Sequence, residues 1–268
     1  MNILDTRSKE LRKMVVQMVE AERRGHIGPA LSIIEIIRVL YDTFLKYDPT
    51  NPFWPERDRF ILSKGHGCLA LYAVLADKGF FPKKELYNFC KHDSILGGHP
   101  ERNKAPGIEA TTGALGHGLP IGVGIAIAGK IQKKNHRVVV ITGDGEINEG
   151  SVWETAMSAA KHQLSNLIVM IDYNKFQSYG PTIEVLDLEP LADKWRSFGF
   201  EVDEVDGHDV AALEELTTRL PLNISKPTAI ICHTIKGKGF PFAEGNAAWH
   251  HKSGLKDEEI NAMYDCLK

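Results

Sequence analysis

Apolar and polar positions recur along this chain with two different periods, and the switch between them outlines the architecture. Over 7–22, Leu11, Met14, Val15, Met18 and Val19 fall on one face of a 3.6-residue repeat, predicting an amphipathic helix. A second helix is predicted over 31–45, stopped by DPTNPFWP. RDRFILS (57–63) predicts a short strand, followed by SKGHG, a helix over 69–78 and a short helix over 83–91. In the centre, HRVVVITGD (136–144) is a buried strand of β-branched residues and NLIVMIDYN (166–174) a second buried strand, flanking a helical pattern over 151–164. FEVDEVD (200–206), a helix over 209–219 and PTAIICHTI (227–235) repeat the alternation. Continuous apolar strands joined by helices suit a parallel sheet covered on both faces. The expected fold is therefore α/β, a doubly wound, mostly parallel sheet flanked by helices. No linker-like composition divides the chain, so residues 1–268 read as a single domain with a peripheral C-terminal segment.

Composition narrows the function classes without choosing among them. The 268 residues are 43% hydrophobic and 25% charged with net charge −3, ordinary for a globular protein with a sizeable core. That balance favours neither nucleic acid nor an anionic membrane as partner. Cys68, Cys90, Cys232 and Cys266 have no CxxC spacing, so buried reduced thiols in a cytoplasmic protein are expected rather than disulfides or a zinc site. MNILDTRSKELRK lacks the apolar core of a signal peptide, and the longest uncharged run, 113–129, is too rich in glycine to read as a membrane span. The starting Met and the polar closing helix KDEEINAMYDCLK suggest natural termini.

The candidate chemistry lies at strand ends. In parallel α/β sheets, ligands bind beyond the carboxyl ends of the strands. Asp144, inside GDGE, ends the first central strand, and Asn174 ends the second, so both side chains should emerge together. A carboxylate and an amide oxygen are hard donors that suit Mg²⁺ or Ca²⁺. The plainer alternative is a helix cap at Asp144 and a turn at Asn174. The long turn-rich stretch 97–118, with GGHPE, PGIEATTG and ALGHG, has the length of a functional loop.

These segments resemble transketolases. GDGEINEG…IDYNKF looks like the thiamine diphosphate motif, and AERRGHIGPALS, RDRFILSKGHG, GGHPE, TTGALGHGL and HTIKGKG resemble transketolase elements in family order over nearly the whole chain. The resemblance implies thiamine diphosphate held through Mg²⁺ (Ca²⁺ as substitute), with Asp144, Asn174 and the Phe176 carbonyl as metal ligands. It implies cofactor contacts at His66, Gly113, Ala114, Leu115, Asp144, Gly145, Glu149 and Asn174. Glu149 matches an acidic residue associated with communication between paired sites, and a first-turn helix carboxylate is its plainer reading. His26, His99 and His250 are the implied catalytic histidines facing the sugar, where imidazoles can move protons near neutral pH.

Two departures stand out. His117 occupies a position where the family commonly has Gln, and AAWHHK offers adjacent His250 and His251 where full-length members have two separated histidines, the first missing near Ala247. The pyrimidine-binding domain that follows in full-length members is absent and is expected on a partner chain, in an α2β2 heterotetramer of two-fold symmetry. The helical pattern over 118–130, rich in glycine and alanine, is a plausible contact surface. The implied activity is transfer of a two-carbon ketol unit from a ketose to an aldose, with the cofactor as electron sink. Pentose and sedoheptulose phosphates are the default sugars, with sulfonated or branched sugars as alternatives. The competing readings are the α subunit of a 2-oxo acid dehydrogenase, a 1-deoxyxylulose-5-phosphate synthase and a non-catalytic cofactor-binding module.

Overall fold

A computed structural model describes residues 4–268; residues 1–3, at the head of the polar N-terminal stretch, lie outside it. In chain order the main elements are α1 (Thr6–Glu22), β1 (Arg24–Gly25), α2 (Ile27–Leu31), α3 (Ile34–Val39), β2 (Arg59–Leu62), α4 (Cys68–Asp77), α5 (Gly118–Ile131), β3 (Val138–Gly143), α6 (Gly150–Lys161), β4 (Leu167–Tyr173), α7 (Thr182–Val185), α8 (Leu191–Ser197), β5 (Glu201–Asp206), α9 (Val210–Thr218), β6 (Thr228–His233), β7 (Lys252–Ser253) and α10 (Asp257–Cys266). Five strands form one sheet in the order β2-β3-β4-β6-β5, every pair parallel.

The apolar runs of the central strands supply two cores at once. Successive side chains point to opposite faces. Val139, Ile141, Ile168, Met170 and Ile230 enter one core with α1, α3 and α4. Val138, Val140, Leu167, Val169 and Ile171 enter a second core with α5, α6 and α8. Such strands have no polar face to show to water, which is why their sequences do not alternate. Because all five run the same way, the carboxyl ends of β2, β3, β4 and β6 gather at one edge.

Three expectations are corrected. The single helix over 31–45 is broken: α2 ends at Leu31, α3 starts at Ile34, and Leu40–Phe44 continues in wider π-helical turns. At the break Ser32 Oγ lies 2.7 Å from Asp172 Oδ2 on β4 and 3.0 Å from the Pro29 carbonyl. A tertiary hydrogen bond to a buried carboxylate thus overrides local periodicity. The C-terminal segment is not peripheral. Trp249, Leu255, Ile260, Met263 and Leu267 are buried in the first core, and β7 pairs with β1 through Arg24–Ser253 and Gly25–Lys252. The cysteines are all free, but only Cys68 and Cys232 are buried; Cys90 is half-buried and Cys266 exposed. Among the described residues no helix is long and apolar enough to cross a membrane.

Candidate active site

The gathered strand ends open into a cavity of about 470 Å³ lined by residues from every part of the chain. Its floor is an electrostatic arrangement built on Asp172, in β4 and fully buried. The Lys64 ammonium, just past β2, pairs with this carboxylate, and Ser32, Thr234 and Asn174 also donate to it. Burial, the largest influence, pushes the Asp172 carboxyl up, but Lys64 together with the Thr234 and Ser32 hydroxyls holds the group below its ordinary value. One buried anion is therefore matched by one buried cation, and removing either partner would leave an uncompensated charge.

Among the described residues Asp144 has no such partner. It is 3% exposed, and its oxygens accept only backbone N–H groups, from Gly145 at 2.7 Å and Lys175 at 2.5 Å. Burial, reinforced by the charge of Asp172, raises its carboxyl to about 7. Asn174 is oriented beside it, with Nδ2 donating to Asp172 at 2.9 Å and Oδ1 accepting from Phe176 N at 3.0 Å. The Phe176 carbonyl lines the same wall and accepts from Lys236 Nζ at 3.1 Å; Lys236 also donates to the Gln177 carbonyl at 2.9 Å. Among the described residues no side-chain cation forms an ion pair with Asp144, although the Lys236 ammonium lies in the same cavity, and the oxygens around that point are hard donors. This donor set fits a divalent cation such as Mg²⁺.

Two loops close over this floor because glycines let backbones touch. A Cβ on Gly65 would lie 2.7 Å from the Thr112 carbonyl carbon, and Gly113 has φ +143° with His99 packed against its Cα. Thr112 Oγ1 donates to Leu62 O at 2.7 Å, fixing the 112–116 loop on β2. Glu146 locks the same junction, accepting from Ser63 Oγ, from Gly116 N at 3.0 Å and from Gly143 N at 3.1 Å. Burial raises its carboxyl, although all three donors favour the ionised form.

The opposite wall is a row of imidazoles. His26 begins α2, His66 lies in the turn after β2, His99 ends the GGH loop, and His250 precedes β7. The His26 ring centroid lies 5.7 Å from His66, 5.6 Å from His99 and 5.7 Å from His250, and His66 stacks on His250 at 5.4 Å. Tyr72 holds the His99 loop, its hydroxyl 3.0 Å from both the Gly97 and His99 carbonyls. Burial, then neighbouring cationic groups, lowers His26 to about 4 and His250 to about 3. Burial and Lys64 hold His66 well below the ordinary histidine value, and burial and His251 lower His99. All four are therefore neutral near pH 7, each able to donate through one ring nitrogen and accept through the other.

Of the residues expected from sequence, His26, His66, His99, Gly113, Leu115, Asp144, Gly145, Glu149, Asn174, Phe176 and His250 line this cavity. Ala114 does not; its side chain faces solvent from the loop between Gly113 and Leu115. Glu149 is the N-cap of α6 rather than a first-turn residue, and its side chain makes no capping bond. His117 caps α5 outside the cavity, with Nδ1 2.9 Å from the Leu115 carbonyl. Sequence reasoning passed over Lys64, Glu146, Gln177 and Lys236. The two lysines and the glutamate stand inside the quoted segments SKGHG, HTIKGKG and GDGEINEG, where a charged residue set against glycine just past an apolar strand was the available signal.

Comparison with known proteins agrees with this geometry. The family described as "Transketolase, thiamine diphosphate binding domain" matches residues 5–267. The chain belongs to the transketolase family. It is 44% identical over 266 residues to an apulose-4-phosphate transketolase subunit of Actinobacillus succinogenes, covering 99% of this chain and 96% of that one. It is 42% identical to a 6-deoxy-6-sulfo-D-fructose transketolase subunit of a Clostridium species, covering 92% and 90%. Rat transketolase is 38% identical over 96% of this chain, but the match spans 41% of the rat protein. The crystal structure of transketolase from Campylobacter jejuni superposes with a TM-score of 0.91 at 31% identity, covering 100% of this chain and 43% of that one. The chain thus spans about two fifths of a full-length transketolase and nearly the whole of relatives named as subunits. The fold is that of the thiamine diphosphate-binding domain, as expected, and the family assignment separates the chain from the 2-oxo acid dehydrogenase reading.

Proposed function

We propose that this chain is the cofactor-binding subunit of a two-chain, cytoplasmic transketolase, which moves a two-carbon ketol unit from a ketose to an aldose. The observation that carries the reading is the buried, cation-deficient Asp144 beside Asn174 and the Phe176 carbonyl, facing a row of neutral histidines across one cavity. When bound, thiamine diphosphate supplies the carbon nucleophile for the ketose carbonyl and the electron sink for carbon–carbon cleavage. Two orphaned buried polar atoms support the fit: Gln177 Nε2 and His250 Nδ1 lie in this cavity without a hydrogen-bond partner. An oxygen-rich ligand would satisfy the Gln177 amide.

Asp144, Asn174 and Phe176 would hold Mg²⁺; the His66 imidazole would donate to the diphosphate, as would the backbone N–H of Gly145 on release from the Asp144 carboxylate that holds it at 2.7 Å. Gly113 and Leu115 would contact the ring system. His26, at the centre of the row, and His99, both neutral, would exchange hydrogen bonds with the sugar hydroxyls and carry protons to and from its oxygens. His250, stacked on His66, would bridge the diphosphate and sugar ends of the cavity.

The substrate is read as a ketose bearing phosphate or sulfonate. Relatives that act on apulose 4-phosphate and on sulfofructose, according to their names, support that class beside the pentose phosphates. Those relatives are named as subunits, which supports a partner chain carrying the pyrimidine-binding domain in an α2β2 assembly. The four free cysteines suit the reducing cytoplasm. The test is to purify the chain by itself and with its candidate partner, then measure mass in solution and ketol transfer. The pair should be active and the lone chain inactive; full activity from this chain by itself would refute the two-chain reading.

A further inference from the structure

Beyond the four histidines that line the cavity stands a fifth, His251. The antiparallel pairing of Arg24 with Ser253 and of Gly25 with Lys252 brings the residues before β7 against the start of α2. His250 closes the short 3-10 turn over Ala247–Trp249 with helical backbone angles, φ -62° and ψ -58°, and the chain bends there before entering β7. His250 turns inward onto His66, and His251 turns to the open side, where it remains exposed. There its ring centroid is 4.5 Å from that of His26 at an interplanar angle of 60°. That is nearer than any other imidazole of the row comes to His26.

His251 also influences His26 and His99 electrostatically. After burial, it is the leading cause of the depressed values at His26 and at His99. Among the described residues it has no hydrogen bond, and its one ring contact is with His26. An exposed ring with a single edge contact contributes little to the fold, on the order of 1 kcal/mol or less. Its two nitrogens are free for a ligand at the cavity mouth. Nearby Lys252 is engaged elsewhere, ion-paired with Glu259 and seated over the Trp249 ring.

We propose that His251 is a sugar-binding residue that hydrogen-bonds a hydroxyl of the ketose beyond its reacting carbonyl, extending the row formed by His26 and His99. The assignment rests on the proposed ketol-transfer function. An imidazole at the mouth contacts the part of the sugar that differs between donors, so His251 reads donor identity rather than holding the cofactor.

The experiment measures steady-state transfer by the chain together with its partner, with calorimetric titration of thiamine diphosphate in parallel. For His251→Ala the KM of the ketose donor should rise roughly tenfold, the worth of one hydrogen bond. The kcat should stay within about twofold, as expected for an interaction made equally in ground and transition states. Cofactor affinity should not change, and His251→Gln, which keeps a donor and an acceptor, should recover most of the lost affinity. An unchanged KM in His251→Ala, a cofactor affinity that falls in step with KM, or a Gln variant no better than Ala would overturn this role alone. A wild-type pair that binds cofactor yet transfers no ketol unit would overturn the proposed function and this role with it.

Discussion

Replacing Asp144 by Asn should stabilise the metal-free fold in alkaline solution while removing its metal-dependent affinity for thiamine diphosphate. In the wild type, burial and the charge of Asp172 raise the carboxyl from 3.8 to about 7. The unfolded chain releases this proton near 4, whereas the folded chain keeps it until about 7. The folded state therefore binds more protons across that window, and stability falls as pH rises through it. Above pH 7 the full cost applies, roughly 4 kcal/mol for a displacement of that size. An amide carries no such cost at any pH. It does set a donor against the N–H of Gly145 or Lys175, at about 1–3 kcal/mol, but that penalty does not vary with pH. The pH-dependent part of the difference is thus a clean reading of the unpaired charge. Chemical denaturation of both proteins between pH 4 and pH 8, without metal, should show the wild type losing stability relative to the variant as pH rises, on top of the gain that both share because His26 and His250 are buried neutral. With Mg²⁺ present, loss of the charged ligand should cost about 3–5 kcal/mol, on the order of a thousandfold in Kd for the cofactor by calorimetry. An Asn variant that follows the wild-type pH profile, or that binds cofactor with near-normal metal dependence, would refute the reasoning.

The histidines should separate by depth in the row. His66→Ala should weaken thiamine diphosphate binding about tenfold in titration, whereas His26→Ala and His99→Ala should lower kcat or raise the donor KM with cofactor affinity nearly unchanged. A His99→Ala protein whose main defect is cofactor affinity would contradict its place on the sugar side. Gly65→Ala should lower stability by about 1–3 kcal/mol, because the added carbon meets the Thr112–Gly113 backbone rather than a side chain that can move; a melting temperature equal to that of the wild type would show that the two loops are not in contact.

Much of this was legible in the residues because the signals were local. The short apolar runs at 138–143 and 167–173, rich in Val and Ile, read as strands buried on both faces, and that fixed where Asp144 and Asn174 would emerge. The helix over 31–45 failed because its break depends on Asp172, 140 positions from Ser32 in the chain. The peripheral reading of the C-terminal segment failed for a similar reason. The segment is tied down by a two-residue ladder to β1 and by Trp249 and Met263 in the core, and so short a pairing leaves no periodicity to read.

The residues that sequence reasoning passed over share one physical character: their importance lies in charge balance rather than in type. Lys64 is unremarkable in SKGHG until Asp172 is found beneath it, fully buried and needing a cation. Once Lys64 is committed there, Asp144 is left without an ion-pair partner among the described residues, which favours the cation-site reading of GDGE over the turn. Lys236 makes no direct ion pair with it: its ammonium donates to the carbonyls of Phe176 and Gln177, and its charge reaches Asp144 only through space. The motif therefore supplies the ligands, but the allocation of two lysines among two aspartates and two carbonyls is what leaves one carboxylate to a divalent ion. That allocation is made between β2, β4 and the loop after β6, and it exists only when the parallel sheet has brought their ends together.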